Sequence, residues 1–309
     1  MNLQEQIQNG PGFGRLDLLA KKVVEGFISG LHASPFHGFS AEFAEHTLYH
    51  PGQSTKHIDW KLYAKTDRLY TKKYEEETNL RCHVIIDQSS SMHYPALKKQ
   101  SLRAYNKIGF AALATASLMQ LFKKQRDAMG LSLYSDAYDF YLPEKGSERH
   151  FQLLLHQLEQ MLTPSSSRKK TATYEVLHQI AEKVKRRSLI FLFTDLLQAH
   201  EDQEQLLAAL RHLNHNKHEL VVFHTLEASK EMDFDFEDTP KKFTDVETGE
   251  ELAVYPSQLQ EAYRQQMKSY QNLFKQMCLK NKIQYQTVDI QKDLHKILIT
   301  YLIERQGFK

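Results

Sequence analysis

From about residue 82 onward, short apolar runs alternate with longer stretches of helical periodicity. Cys82-His83-Val84-Ile85-Ile86 is a β-rich run ending at Asp87, and Ser188-Leu189-Ile190-Phe191-Leu192-Phe193 is a second, ending at Thr194-Asp195. Glu219 to His224 and Ile283 to Val288 supply a third and a fourth. The second and third are apolar almost throughout, the pattern of strands covered on both faces of a parallel sheet. Helical patterns near 97–125, 173–186, 200–214, 257–281 and 291–305 complete the alternation. Leu131–Tyr134 and Tyr138–Leu142 read as an antiparallel hairpin at a sheet edge. This rhythm predicts an α/β domain over residues 81–309: an open, mostly parallel sheet with helices on both faces and right-handed crossovers.

Two regions break the rhythm. Residues 1–80 open with a helical stretch, about 14–31, and continue as an irregular aromatic and charged segment. Residues 227–256 hold an acidic strip, Glu231-Met232-Asp233-Phe234-Asp235-Phe236-Glu237-Asp238, followed by a hairpin from Phe243 to Tyr255 turning at Glu247-Thr248-Gly249-Glu250. The strip's alternation predicts an edge strand with its apolar side buried, or a docking strip for a basic partner. The N-terminal region and the 227–256 insertion are expected to pack together as an accessory layer. The apolar stretch from Ile108 to Phe122 is interrupted by Thr115, Ser117 and Gln120. A membrane span needs about 20 apolar residues, so this stretch predicts a buried helix.

Composition narrows the class without naming it. The chain has 309 residues, 41% hydrophobic and 25% charged, long enough to bury a core without disulfides or structural metal. Lys and Arg number 40 against 38 Asp and Glu, a net charge of +2, which is not the footprint of a general nucleic-acid binder. The two cysteines, Cys82 and Cys278, lie far apart and write neither a disulfide framework nor a thiol zinc site. The opening residues lack the charged-then-apolar pattern of a signal peptide, so a cytoplasmic protein is expected.

The informative chemistry follows the first core strand, in Asp87-Gln88-Ser89-Ser90-Ser91-Met92. Open α/β sheets bind ligands at the carboxyl ends of their strands, where the strand order reverses. Asp87 and Asp195 both sit at such ends, and the loop before the 173–186 helix brings Thr171 or Thr173 toward them. Two carboxylates and three hydroxyls give a hard cation such as Mg²⁺ an incomplete oxygen shell, leaving a position for a partner's carboxylate. Without a metal, Asp87 would cap the following helix and the serines would be turn residues.

Asp87-x-Ser89-x-Ser91, Thr171 and Phe193-Thr194-Asp195 resemble the metal-ion-dependent adhesion site of von Willebrand factor A domains. Glu42 to Gly52, Ile58-Asp59-Trp60, Lys72-Lys73-Tyr74-Glu75 and the hairpin from Phe243 to Leu252 resemble domain-of-unknown-function family 58. The likeness runs from about residue 35 to 300. It implies a bacterial von Willebrand A-like protein, often encoded with MoxR-type AAA+ ATPases and acting as an adaptor in assembly or remodelling rather than as a catalyst. It further implies Mg²⁺, or Mn²⁺ or Ca²⁺, held directly by Ser89, Ser91 and Thr171, with Asp87 and Asp195 holding its waters. Two departures stand out. Gly52-Gln53-Ser54 replaces the family's usual Gly-Asp-Asp, and Lys169-Lys170 precede Thr171 where two glycines are usual. Ammonium groups there are expected to weaken the cation or attract an acidic partner.

Other signals are weaker. His46 and His50 would suit zinc if helical, but Pro51-Gly52 argues for a turn. Gly10-Pro11-Gly12-Phe13-Gly14 follows no strand and is no phosphate loop. The basic, aromatic stretch from Lys56 to Lys73 is broken by Asp59 and Asp67, predicting a folded face that packs Trp60 on the core rather than a nucleic-acid surface. The alternative to an adaptor is a Mg²⁺-dependent phosphatase or nuclease using Asp87. Ser89 stands where a phosphatase of the haloacid-dehalogenase type needs a second aspartate, and the Asp87–Ser91 turn offers no base.

Overall fold

The computed structural model describes residues 16–32, 46–48, 60–72, 80–97, 101, 104–135, 138–163, 173–196, 203–244 and 251–307. The chain divides into a larger unit, residues 1–26 with 80–309, and a smaller one, residues 27–79. Helix α1 (Leu16–His32) crosses that division, burying Leu16, Ala20, Val24 and Phe27 along one stripe. The smaller unit pairs β1 (His46–Leu48) antiparallel with β2 (Tyr70–Lys72) and carries helix α2 (Trp60–Thr66). Trp60 is 62% exposed, its ring edge-on to Tyr63, so it is not the core anchor the composition suggested. His46 lies in a strand, which removes the helical spacing a zinc pair with His50 would need; His50 is outside the described residues.

In the larger unit six strands form one sheet: β3 (Arg81–Asp87), β4 (Ala128–Tyr134), β5 (Tyr138–Lys145), β6 (Leu189–Thr194), β7 (Glu219–Leu226) and β10 (Gln284–Asp289). Their order is β10-β7-β6-β3-β4-β5, all parallel except the edge strand β5, which turns back against β4. The chain therefore starts in the middle, winds one way to β5, and returns across β3 to wind the other way. Helices α3 (Lys107–Gln125), α4 (Glu148–Gln160), α5 (Thr173–Lys183), α6 (Gln203–Leu213), α7 (Pro256–Lys280) and α8 (Leu294–Gly307) surround it. Ile85, Ile190, Leu192, Leu220 and Val222 pack with α5, α6 and Tyr270, Phe274 and Cys278 of α7. The alternate residues Val84, Ile86, Phe191, Phe193, Val221 and Phe223 are buried as well. Strand side chains alternate between faces, so burial of both sets explains why these strands read as unbroken apolar runs.

Boundaries differ from the sequence pattern where polar detail decides. The helix expected from residue 97 starts at Lys107, because Asn106 caps it by accepting from the Gly109 amide at 2.9 Å. The acidic strip is not an edge strand. Ala228–Met232 forms a π-helical turn, followed by an irregular stretch and the hairpin β8 (Lys241–Thr244) with β9 (Glu251–Val254). Phe234 is the strip's anchor, 4.7 Å from the Tyr263 ring and stacked on Phe243 at 5.4 Å. Those aromatic contacts replace the strand pairing that alternation alone would call for.

Toward the amino ends of the strands, His83 is fully buried, with Nδ1 2.6 Å from Glu144 Oε1 and Nε2 2.7 Å from the Ser132 hydroxyl. Burial works to raise the Glu144 carboxyl, but the His83 hydrogen bond and charge outweigh it and hold it below its ordinary value. Gly130 makes room for this imidazole: a Cβ there would lie 2.5 Å from His83 Nδ1 and 2.9 Å from the Leu142 carbonyl. Gly130→Ala is therefore expected to cost about 1–3 kcal/mol by overpacking, measured as a lower urea midpoint at unchanged slope.

Candidate functional site

The winding of the sheet reverses between β3 and β6, and their carboxyl ends carry the two acids picked out by the sequence. Asp87 closes β3 and is 2% exposed; Asp195 follows β6 and is 4% exposed. After Asp87 the chain enters a 3₁₀ turn (Ser90–His93), with the Met92 amide donating to the Ser89 carbonyl at 3.1 Å. The turn folds Ser89 and Ser91 together, their hydroxyl oxygens 3.1 Å apart and both side chains buried. The Ser89 amide donates to Asp87 Oδ1 at 2.9 Å, and the Thr194 hydroxyl donates to Asp87 Oδ2 at 3.0 Å. Four of the predicted donors, Asp87, Ser89, Ser91 and Asp195, thus meet at one end of the sheet. Thr171 lies outside the described residues, and Thr173 opens α5.

Backbone strain positions the second acid. Leu196, directly after Asp195, has φ 55°, a left-handed conformation that costs a side-chain-bearing residue roughly 1–2 kcal/mol. It is held there by its amide donating to the Thr194 hydroxyl at 3.2 Å and its carbonyl accepting from Tyr270 Oη at 3.0 Å. Thr225 of β7 donates to the Thr194 carbonyl at 3.2 Å, tying the neighbouring strand into the same corner.

Two further residues were not singled out by the sequence. Lys107, the first residue of α3, is fully buried, and its Nζ donates to Asp195 Oδ2 at 2.8 Å and to Glu231 Oε1 at 2.7 Å. A cation at a helix N-terminus opposes the helix dipole. That misplacement, at the border of a mostly apolar stretch, was the available signal for a buried partner. Glu231 comes from the π-helical turn after β7, in a segment whose local pattern gives no hint that it reaches the first strand's end.

The electrostatics follow from burial. Desolvation, with Asp195 nearby, pushes Asp87 up from 3.8 to about 7 despite the hydrogen bonds from Ser89 and Thr194. Burial works against the Lys107 ammonium, yet Asp195 and Glu231 outweigh it and hold its pKa above the ordinary value. Burial also raises Glu231, against the pull of Lys107. His224 is driven down to about 4 by desolvation and is neutral at physiological pH. Ser132, His83 and Glu144 form a serine–histidine–carboxylate chain elsewhere on the sheet, but Ser132 is fully buried, out of reach of any substrate.

The strand order, the antiparallel edge strand and the acid–serine turn at the switch point define a von Willebrand factor A-like α/β domain. Residues 45–272 match the model of the family described as "Protein of unknown function DUF58", and the chain belongs to that family. Uncharacterized proteins of Mycobacterium tuberculosis and Mycobacterium bovis are 21% identical over 183 residues, 59% of this chain and 55% of theirs, so the chain spans about half the length of the relatives it matches. Among solved structures, the conserved hypothetical protein BatB of Bacteroides thetaiotaomicron is similar at 18% identity with a TM-score of 0.47, over 74% of this chain and 99% of that one. An aerotolerance-related membrane protein of Bacteroides fragilis gives 17% and 0.45 over 73% and 99%. A von Willebrand factor type A protein of Catenulispora acidiphila gives 13% and 0.36 over 51% and 34%. These neighbours correct the cytoplasmic placement expected from the sequence, because the Bacteroides fragilis protein is described as a membrane protein. Among the described residues, no helix is long and apolar enough to cross a membrane.

A folded-state pKa near 7 against an ordinary 3.8 means that the folded chain binds the Asp87 proton more tightly than the unfolded chain does. Stability from this group is therefore lost as pH rises from about 4 to about 7. In metal-free buffer Asp87→Asn is expected to lack that loss, so its melting temperature relative to wild type rises from pH 5 to pH 8. A difference that stays flat with pH would contradict the assignment.

Proposed function

We propose that the chain is a non-catalytic interaction module whose sheet end holds a divalent cation, Mg²⁺ or Mn²⁺, completed by an acidic residue of a protein partner. The observation that carries this reading is the Asp87 turn. A buried carboxylate takes its hydrogen bonds from an amide and a hydroxyl, neither of them a cation, while two serine hydroxyls and a second acid stand at the same end. Among the described residues no three His, Cys, Asp or Glu side chains cluster as a metal site; the donor set here mixes hydroxyls with two acids. Neutral hydroxyls with few carboxylates suit a hard ion that keeps some of its waters. Ser89 and Ser91 would hold the ion, and Asp87 would neutralise it and orient its waters. Asp195 would share its charge between the ion and Lys107.

No His or Glu lies between Asp87 and Ser91, which favours binding over hydrolysis; His93, the last residue of the turn, is the nearest candidate base. A MoxR-type AAA+ ATPase is the proposed partner in complex assembly or remodelling, on the strength of the family resemblance. Calorimetric titration of chelator-treated protein with Mg²⁺ and Mn²⁺ is expected to show one site that disappears in Asp87→Ala. Heat of binding that persists in the variant, or none in wild type, would sink the cation reading. Retention of the ATPase on immobilised wild type with Mg²⁺, but not with chelator, checks the partner.

A further inference from the structure

Lys107 and Glu231 belong to no metal motif, yet they meet one of its acids. We propose that Glu231 is a positioning residue of the cation site, which cancels the charge of Lys107 and so leaves Asp87 and Asp195 as a dianionic pocket matched to a divalent ion. The inference rests on the reading of the sheet end as a cation site, and deepens it by naming what sets the charge of the ion accepted.

The geometry is specific. Lys107 is placed by the capped start of α3, its own amide donating to the Tyr94 carbonyl at 3.0 Å beside the Ser90–His93 turn. Its ammonium, with no exposed side-chain surface, spans Asp195 and Glu231. Glu231 is fixed in turn: its Oε2 accepts from the Glu227 amide at 2.6 Å, and its carbonyl accepts from Tyr263 Oη at 3.0 Å. Among the described residues, and with Asp87 ionised by the bound cation, Asp87, Asp195 and the part-buried Glu231 contribute −3 and Lys107 +1, giving −2. Neutral His224 adds nothing to that sum. Glu227 is half-buried and turns its carboxylate to the Ser229 hydroxyl and the Lys230 amide of its own turn, not to Lys107, and so stands outside this ion-paired set. Without Glu231 the sum falls to −1, and an uncompensated ammonium would face the incoming dication in a low-dielectric corner, where like charges repel strongly.

The test is a charge-balance cycle. Affinities for Mg²⁺ and for Tb³⁺ would be measured by calorimetry and terbium luminescence on wild type, E231Q, K107M and the double variant, with folding followed by circular dichroism. E231Q is expected to weaken Mg²⁺ at least about tenfold, and E231D, which keeps the charge, to stay near wild type. K107M is expected to tighten both ions and favour Tb³⁺. The double variant restores the −2 sum and is expected to return Mg²⁺ affinity to within about threefold of wild type. A double variant weaker than E231Q would mark a merely structural contact and overturn the proposal. Equal affinity in every variant would overturn it while leaving the cation site standing. Binding in none, wild type included, would overturn both. If K107M does not fold, the contrast between E231Q and E231D decides alone: E231D as weak as E231Q overturns the proposal.

Discussion

A parallel sheet buried on both faces leaves little room for charge within its layers, and this constraint shapes the larger unit. Isolated charges cannot be left in an apolar interior. Strands β3, β6 and β7 accordingly carry long apolar runs. The charged groups Asp87, Asp195, Lys107 and Glu231 are displaced to the strands' carboxyl ends, where the reversal of winding opens a gap between connections. Crowding them there is what makes that end electrostatically unusual. His83, inside the layers, is accommodated because Glu144 and Ser132 take both ring nitrogens and a glycine gives it space.

The two polar clusters are built on different terms. In the His83 cluster each ring nitrogen is taken at 2.6–2.7 Å by a buried partner, and Glu144 Oε2 is left buried without one among the described residues. The carboxyl-end cluster is open in charge: its three acids outnumber its one buried cation, and one of those acids, Asp87, resists ionisation. That difference separates His83 from the aspartate proposed as a cation ligand more firmly than burial, which they share.

Much of this was legible in the residues. Strands showed as apolar runs because both faces are covered, and Asp87, Ser89, Ser91 and Asp195 showed because they sit where those runs stop. Lys107 and Glu231 were harder, since their meaning lies in a contact between helix α3 and the turn after β7, far apart in the sequence. The acidic strip misled for a related reason. Its alternating phenylalanines match a strand's period of two, yet Phe234 and Phe236 pack on Phe243 and on each other in an irregular loop. Trp60 misled in the opposite sense, since aromatic character alone did not reveal that its ring stays in solvent.

The hairpin of β8 and β9 bears on how such a domain could be adapted. It pairs only with itself as a separate two-stranded sheet, and it lies between β7 and α7, outside the six-stranded layer. Beyond Phe243 it projects mostly exposed residues, Leu252 among them. Chain exchanged beyond Phe243, which packs on Phe234, would leave the register of the main sheet unaltered. The segment is thus an exchangeable cassette, through which one scaffold could be given new addresses without being refolded.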